Sequence, residues 1–212
     1  FDADKEVYHV QAGKKIRLSR PQQLMAAERE IIEEAYAGDI IGVFDPGIFS
    51  IGDTLCAPGK KFRFDPIPTF APEHFRRVRS LDTMKRKQFL KGMEQIAQEG
   101  AIQIFKTPYT GMEEVIVGVV GTLQFDVLEY RLKNEYNVEL YMEGLPYEYL
   151  RWIRSADGEP VKEEDLILGT DVKLVEDYKG NQLLLFGSQW AIGWTQERNR
   201  DLTFYEFGGG IA

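Results

Sequence analysis

One cysteine, Cys56, and two histidines, His9 and His74, are all the thiol and imidazole in 212 residues. A disulfide framework is excluded, and such cysteine usage fits a reducing compartment. Three widely separated residues of these types make no zinc site. As a nucleophile Cys56 would need a neighbouring base; it reads instead as a small residue at a strand end. No apolar run approaches the ~20 residues that cross a bilayer, and the longest, near Val115–Val120, has the length of a strand. No basic stretch leading into an apolar core marks a secretory signal. The chain opens at Phe1, without an initiator methionine and inside charged sequence, and is expected to be part of a longer protein.

Chemistry-bearing motifs are missing as well. No G-x-x-x-x-G-K-[ST] occurs: the Gly-Lys-Lys runs at Gly13 and Gly59 lack both the hydroxyl residue and the preceding glycine. No G-x-G-x-x-G follows a strand, and no G-x-S-x-G elbow is present. The stretch Glu33–Cys56 holds five acidic side chains and four glycines. Asp39 and Asp53 each follow a glycine, where aspartate serves turns through its own side chain, and they read as turn residues rather than a catalytic pair. The residues predict binding domains with no catalytic, cofactor-binding or metal-binding residue.

What is present is an uneven charge. The chain carries a net charge of −8, yet between Phe75 and Gly92 seven cations, Arg76, Arg77, Arg79, Lys85, Arg86, Lys87 and Lys91, face one acid, Asp82. That window is +6, which leaves −14 for the rest. A concentrated basic stretch in an acidic chain points to a localised anionic partner, with a solvated strand and helix face as the alternative. If Phe75, Arg77 and Arg79 share one strand face, Arg76 and Val78 take the other. On a helix, Lys87 and Lys91 align at i,i+4.

Hydrophobic periodicity divides the chain into three segments. In the first, 1–66, EVYHVQAGKKIRL alternates around Gly13 and reads as a strand pair or a bent strand. PQQLMAAEREIIEEAY favours helix by local propensity, with strand–loop–strand as the alternative. DIIGVFD and FSIGDTLC are short strands separated by Pro46-Gly47, a spacing that suggests a small barrel. Pro66, Pro68 and Pro72 forbid helix and make a semi-rigid boundary.

In the second segment, 69–153, Phe70–Ser80 is extended. Thr83–Glu99 is helical, with Asp82 or Thr83 as cap and Gly100 as stop. Strands AIQIFK and EVIVGVVG flank the turn TPYTGME, Thr122–Tyr136 is a second helix, and NVELYMEG a further strand, with YEYLRWI continuing extended. The order β-α-β-β-α-β predicts a ferredoxin-like sandwich. The third segment, 154–212, begins with acidic sequence. It continues with two strands about a Lys179-Gly180-Asn181 turn, a short helix, and a last strand TFYEF before the loose tail Gly208–Gly210. Trp190 and Trp194 lie at i,i+4 and read as a packed helix face, with stacking on a base as the alternative. The expected fold class is α+β: a partial β-barrel, then a ferredoxin-like domain with a β-rich extension.

Two stretches carry a resemblance. GDIIGVFDPGIFSIGDTL resembles the end of the β-barrel second domain of translational GTPases, a signal shared with elongation factor G and the ribosomal protection proteins. More specifically, IPTFAPEHFRRVR, KQFLKGMEQIAQEGAIQIF and VGVVGTLQFDVLEYRLKNEYNVE resemble the release factor 3 family. Where elongation factor G has a GMGELHLE-like turn, this chain has GVVGTLQFDV, the release-factor form. The resemblance weakens over Asp157–Ser188. It implies the C-terminal part of barrel domain II over 1–66 and the family's C-terminal domain over 67–212. It implies a cytoplasmic parent whose G domain, not in this chain, binds GTP and Mg²⁺, and a barrel whose first strands precede Phe1 and leave an open edge. It also implies docking on small-subunit ribosomal RNA and protein, an indirect link to class I release factors, contact with the parent's own G domain, and no membrane. The corresponding region of another ribosomal GTPase, or an RNA-binding ferredoxin-like module, is the alternative.

Overall fold

The computed structural model describes residues 5–25, 28–44, 47–60, 62–65, 67, 70–108 and 114–206. It divides into two units, Phe1–Ile67 and Pro68–Ala212. Pro46, Pro66, Pro68, positions 109–113 of the predicted turn and Gly208–Gly210 lie outside the described residues.

In the first unit the sequence alternation around Gly13 becomes a hairpin. β1 (Glu6–His9) pairs antiparallel with β2 (Lys14–Arg17) and, on its other side, with β6 (Leu55–Cys56). The stretch with helical propensity is not a helix. It forms β3 (Ser19–Met25) and β4 (Glu28–Ile31), paired antiparallel from Gln22↔Ile31 to Met25↔Glu28. β5 (Gly42–Phe44) takes the other edge of β3. Propensity is a weak prior, and two ladders supply the backbone partners that a helix would have supplied. The β3–β5 register shifts between Ser19 and Gln22, around Pro21, which has no N–H to give a ladder.

The two acidic turns are built alike. Asp39 Oδ2 accepts the Tyr36 N–H at 2.8 Å, and Asp53 Oδ2 accepts the Ser50 N–H at 2.8 Å. The preceding Gly38 and Gly52 sit at φ 101° and 90°, where a side chain would be strained. Asp53 also pairs with buried His9 (Nε2 to Oδ2, 2.8 Å). The carboxylates thus serve turns. Cys56 Sγ donates to the Lys60 carbonyl at 3.0 Å. Among the described residues of this unit, Leu18 and Ala35 are buried, whereas Ile40, Phe44, Ile51, Phe62 and Phe64 are exposed.

The second unit has the order β7 (His74–Ser80), α1 (Arg86–Gln98), β8 (Gln103–Lys106), β9 (Glu114–Val119), α2 (Leu123–Tyr136), β10 (Leu140–Gly144). Its strands lie β10-β7-β9-β8, all antiparallel, which is the ferredoxin-like arrangement. The extension continues this same sheet. β11 (Tyr149–Ser155), β12 (Val172–Asp177), β13 (Gln182–Phe186), α3 (Gln189–Arg198) and β14 (Leu202–Tyr205) add strands in the order β12-β13-β11-β14, joined through β8·β12. The extended YLRWIRS therefore belongs to the added half, beyond β13.

Helix ends follow local chemistry. Asp82 accepts the Met84 N–H at 2.9 Å and opens a 3₁₀ turn, Thr83–Lys85, ahead of α1. Gly100, at φ 76°, ends α1 in a Schellman pattern: its N–H reaches the Ala97 carbonyl, and the Ala101 N–H reaches that of Ile96. At α2 the Thr122 side chain makes no cap, and Gln124 instead ties down the turn ahead of the helix. Its Oε1 accepts the N–H groups of Val120 and Gly121 at 3.0 and 2.9 Å, and its Nε2 donates to the Ala101 carbonyl at 2.7 Å. The helices cross closely at Gly92, where a Cβ would lie 2.4 Å from Leu132 Cδ2. Arg131 of α2 binds Glu135 and Glu99. Those hydrogen bonds, Glu135 first, raise the guanidinium pKa above its ordinary range and lower the Glu135 carboxyl.

Three apolar clusters show how the sheet is used. Val78, Ile104, Val115 and Val117 pack beneath Phe89, Met93, Phe125, Leu128 and Leu132 of the two helices. On the sheet's other face Phe75, Phe105 and Ile116 cluster with Leu150, Trp152, Val175, Leu183 and Leu185 of the added half. These strands are consecutive in the sheet and no helix residue belongs to the cluster, so the sheet buries this face by curling over on itself. α3 covers the outer face of the added half with Ala191 and Ile192 on Ile153, Leu174, Leu184 and Phe186.

Candidate nucleic-acid interface

The seven cations between Arg76 and Lys91 do not form one patch. On β7, Val78 belongs to the helix-side cluster and Phe75 to the opposite one. Arg76 therefore shares the helix side. Its guanidinium carbon lies 4.3 Å from the centroid of the buried Phe125 ring, which engages the charge in place. Arg77 and Arg79 take the other face, opposite their β10 partners. Arg77 pairs with Glu143 at 3.2 Å, and Arg79 lies over the Tyr141 ring at 4.6 Å. Lys85 Nζ donates to the Asn137 carbonyl at 2.6 Å and ties the 3₁₀ turn to the left-handed end of α2.

The remaining cations project from α1. Its buried stripe is Phe89, Gly92, Met93 and Ile96. At 100° per residue, Lys87 and Lys91 fall diametrically opposite this stripe and Arg86 on its flank. All three are exposed. Neither Lys87 nor Lys91 has an ion-pair partner among the described residues, and Glu94 is the one acid within α1. Two exposed ammonium groups one turn apart suit phosphate oxygens as point charges; they carry no base-reading geometry.

A cleft lies between the start of β7, the start of α2 and the β10–β11 connection, lined among others by Glu73, His74, Arg76, Phe125, Tyr147 and Glu148. Burial pushes the Tyr147 phenol above its ordinary pKa. The cleft's charges are of both signs, so it is no anion site. Among the described residues no group of three or more His, Cys, Asp or Glu is arranged to hold a metal ion. No helix among them is long and apolar enough to cross a membrane.

Charge counting along the sequence could not find the partners of Arg76 and Arg79, because Phe125 and Tyr141 come from elements 49 and 62 positions away. Trp190, whose i,i+4 spacing with Trp194 predicts a packed helix face, is instead 72% exposed.

Comparison with known proteins matches both units. The model of class II release factor RF3, C-terminal domain, matches residues 64–196, and that of elongation factor G domain 2 matches residues 1–58. Peptide chain release factor 3 of Symbiobacterium thermophilum is 50% identical over 96% of this chain and 38% of its own length. That of Gloeobacter violaceus is 44% identical over 97% of this chain and 38% of its own, and that of Listeria welshimeri 43% over 95% and 37%. The chain thus spans a little over a third of these curated relatives. A crystal structure from Thermus thermophilus aligns with a TM-score of 0.54 at 16% identity, covering 73% of this chain and 24% of that one, and shares the fold. With its C-terminal domain model matched over most of the second unit and relatives at 42–50% identity along nearly its whole length, the chain belongs to the class II release factor RF3 family.

Proposed function

We propose that this region docks its parent protein on the ribosome, against small-subunit RNA and protein, during translation termination. The parent's G domain holds GTP and Mg²⁺ and does the hydrolysis; this chain binds no cofactor and catalyses nothing. The parent acts in the cytoplasm and drives class I release factors off the ribosome after peptide release. Membership of the RF3 family carries the reading, and the outward Lys87–Lys91 pair on an acidic chain supports it.

Phosphate contacts are read out by salt, because each cation that neutralises a phosphate releases a counterion. Lys87→Glu with Lys91→Glu, placed in the full-length protein, is expected to weaken ribosome binding at low salt by tenfold or more. The slope of log affinity against log salt should flatten by about two. Both lysines are exposed, so the fold should be unchanged within about 0.5 kcal/mol. An affinity and slope equal to those of the unsubstituted protein would remove α1 from the interface.

A further inference from the structure

We propose that the outward face of α3 docks a basic protein segment, with an arginine of that segment stacked on Trp190. This inference does not rest on the ribosomal reading of α1. α3 buries Ala191, Ile192 and Thr195. Trp190, Gly193, Trp194 and Glu197 lie on the other side at helical spacing. Trp190 is 72% exposed, a large apolar ring that the core does not use. Exposed tryptophans flanked by a polar rim mark interaction anchors.

The three aromatic and cationic groups form a stack with one open end. The Trp190 and Trp194 rings are 6.3 Å apart at 39°, and the Arg198 guanidinium carbon lies 4.0 Å over the Trp194 ring. Trp194 thus has both a ring and a guanidinium beside it, whereas Trp190 presents its surface to solvent. The chain already makes, within α3, the guanidinium-on-indole contact that a partner would repeat one step along. Gly193 adds a second observation. It is exposed in mid-helix, where glycine weakens a helix relative to alanine, and a Cβ there would meet nothing within 4 Å. Internal packing does not call for it. It leaves open backbone between Trp190 and Glu197, on which another chain can lie closely.

Charge selects the occupant. From Ser155 to Glu206 the chain has eleven acidic against five basic residues. Asp157, Glu159, Asp165 and Asp201 line the hollow beside Arg198 at the C-terminal end of α3, about 12 Å along the helix from Trp190, where they meet the further cations of the segment and not the stacked arginine. Phosphates are repelled there and cations drawn in, the reverse of α1.

The test titrates the 212-residue chain with an arginine hexapeptide, a lysine hexapeptide and oligouridine, followed by tryptophan fluorescence and calorimetry. The arginine peptide should bind more tightly than the lysine peptide. Trp190→Ala should weaken it about tenfold with an unchanged thermal midpoint. Glu159→Gln with Asp165→Asn, which leaves the stack in place, should also weaken it and flatten its salt dependence. Equal affinity in Trp190→Ala, a preference for oligouridine, or a loss in Trp190→Ala confined to self-association of the chain would overturn the proposal.

Discussion

Phe125→Ala is expected to lower the stability of the second unit by about 4 kcal/mol, the middle of the range for a large buried ring. Phe125 is 1% exposed and packs with Leu128, Val78 and Val119 between α2 and the sheet. Its removal leaves a cavity that the two closely crossed helices cannot collapse to fill, because Gly92 and Leu132 already set their approach. The change also strips the Arg76 guanidinium of the ring beneath it. Arg76→Leu separates the two effects and should cost only about 1 kcal/mol. Trp152, Trp190 and Trp194 all lie in the second unit, so denaturation followed by tryptophan fluorescence reports on it. A midpoint within experimental error of the unsubstituted chain would show that α2 is not anchored through Phe125.

Gly118→Ala is the second large effect, and its sign runs against simple propensity. Alanine in a strand should gain roughly 0.5–1 kcal/mol over glycine. Gly118, however, sits in β9 opposite Phe75, on the face where the two halves of the curled sheet meet. A Cβ there would lie 2.7 Å from Pro72 Cγ and 2.8 Å from Phe105 Cε2. Both neighbours are stiff rings, Phe105 is 1% exposed, and neither has a flexible end to swing away. Overpacking of this kind costs about 3 kcal/mol, so the net loss should be about 2 kcal/mol. A rise in the midpoint would mean that Pro72 can move away and that the start of β7 is loosely held.

Elements whose ends carry their own chemistry were legible in the sequence. Asp82 and Gly100 bracket α1, and the Lys179-Gly180-Asn181 turn joins β12 to β13, with Gly180 at φ 86°. The β-α-β-β-α-β order followed from such signals. The strands β3 and β4 were not, because Leu24, Met25 and Glu28–Ile31 are good helix formers and their strand state depends on partners elsewhere in the chain. Nor could the sequence say that β12 would pair with β8 and extend the sheet, since only two residue pairs join them. At the candidate interface the seven cations were visible as a count. Strand alternation correctly separated Arg76 from Arg77 and Arg79, but which of them remain available to a partner was decided by Phe125, Glu143 and Tyr141. Trp190 was misread because i,i+4 spacing describes a helix face without saying which way that face points.

Cosedimentation of the purified 212-residue chain with small ribosomal subunits over a series of salt concentrations tests docking without the G domain. The predicted result is binding at low salt, with log affinity falling linearly against log salt and no GTP turnover by the chain. No binding at low salt, or an affinity that does not change with salt, would contradict the assignment of this region as a ribosome-docking element.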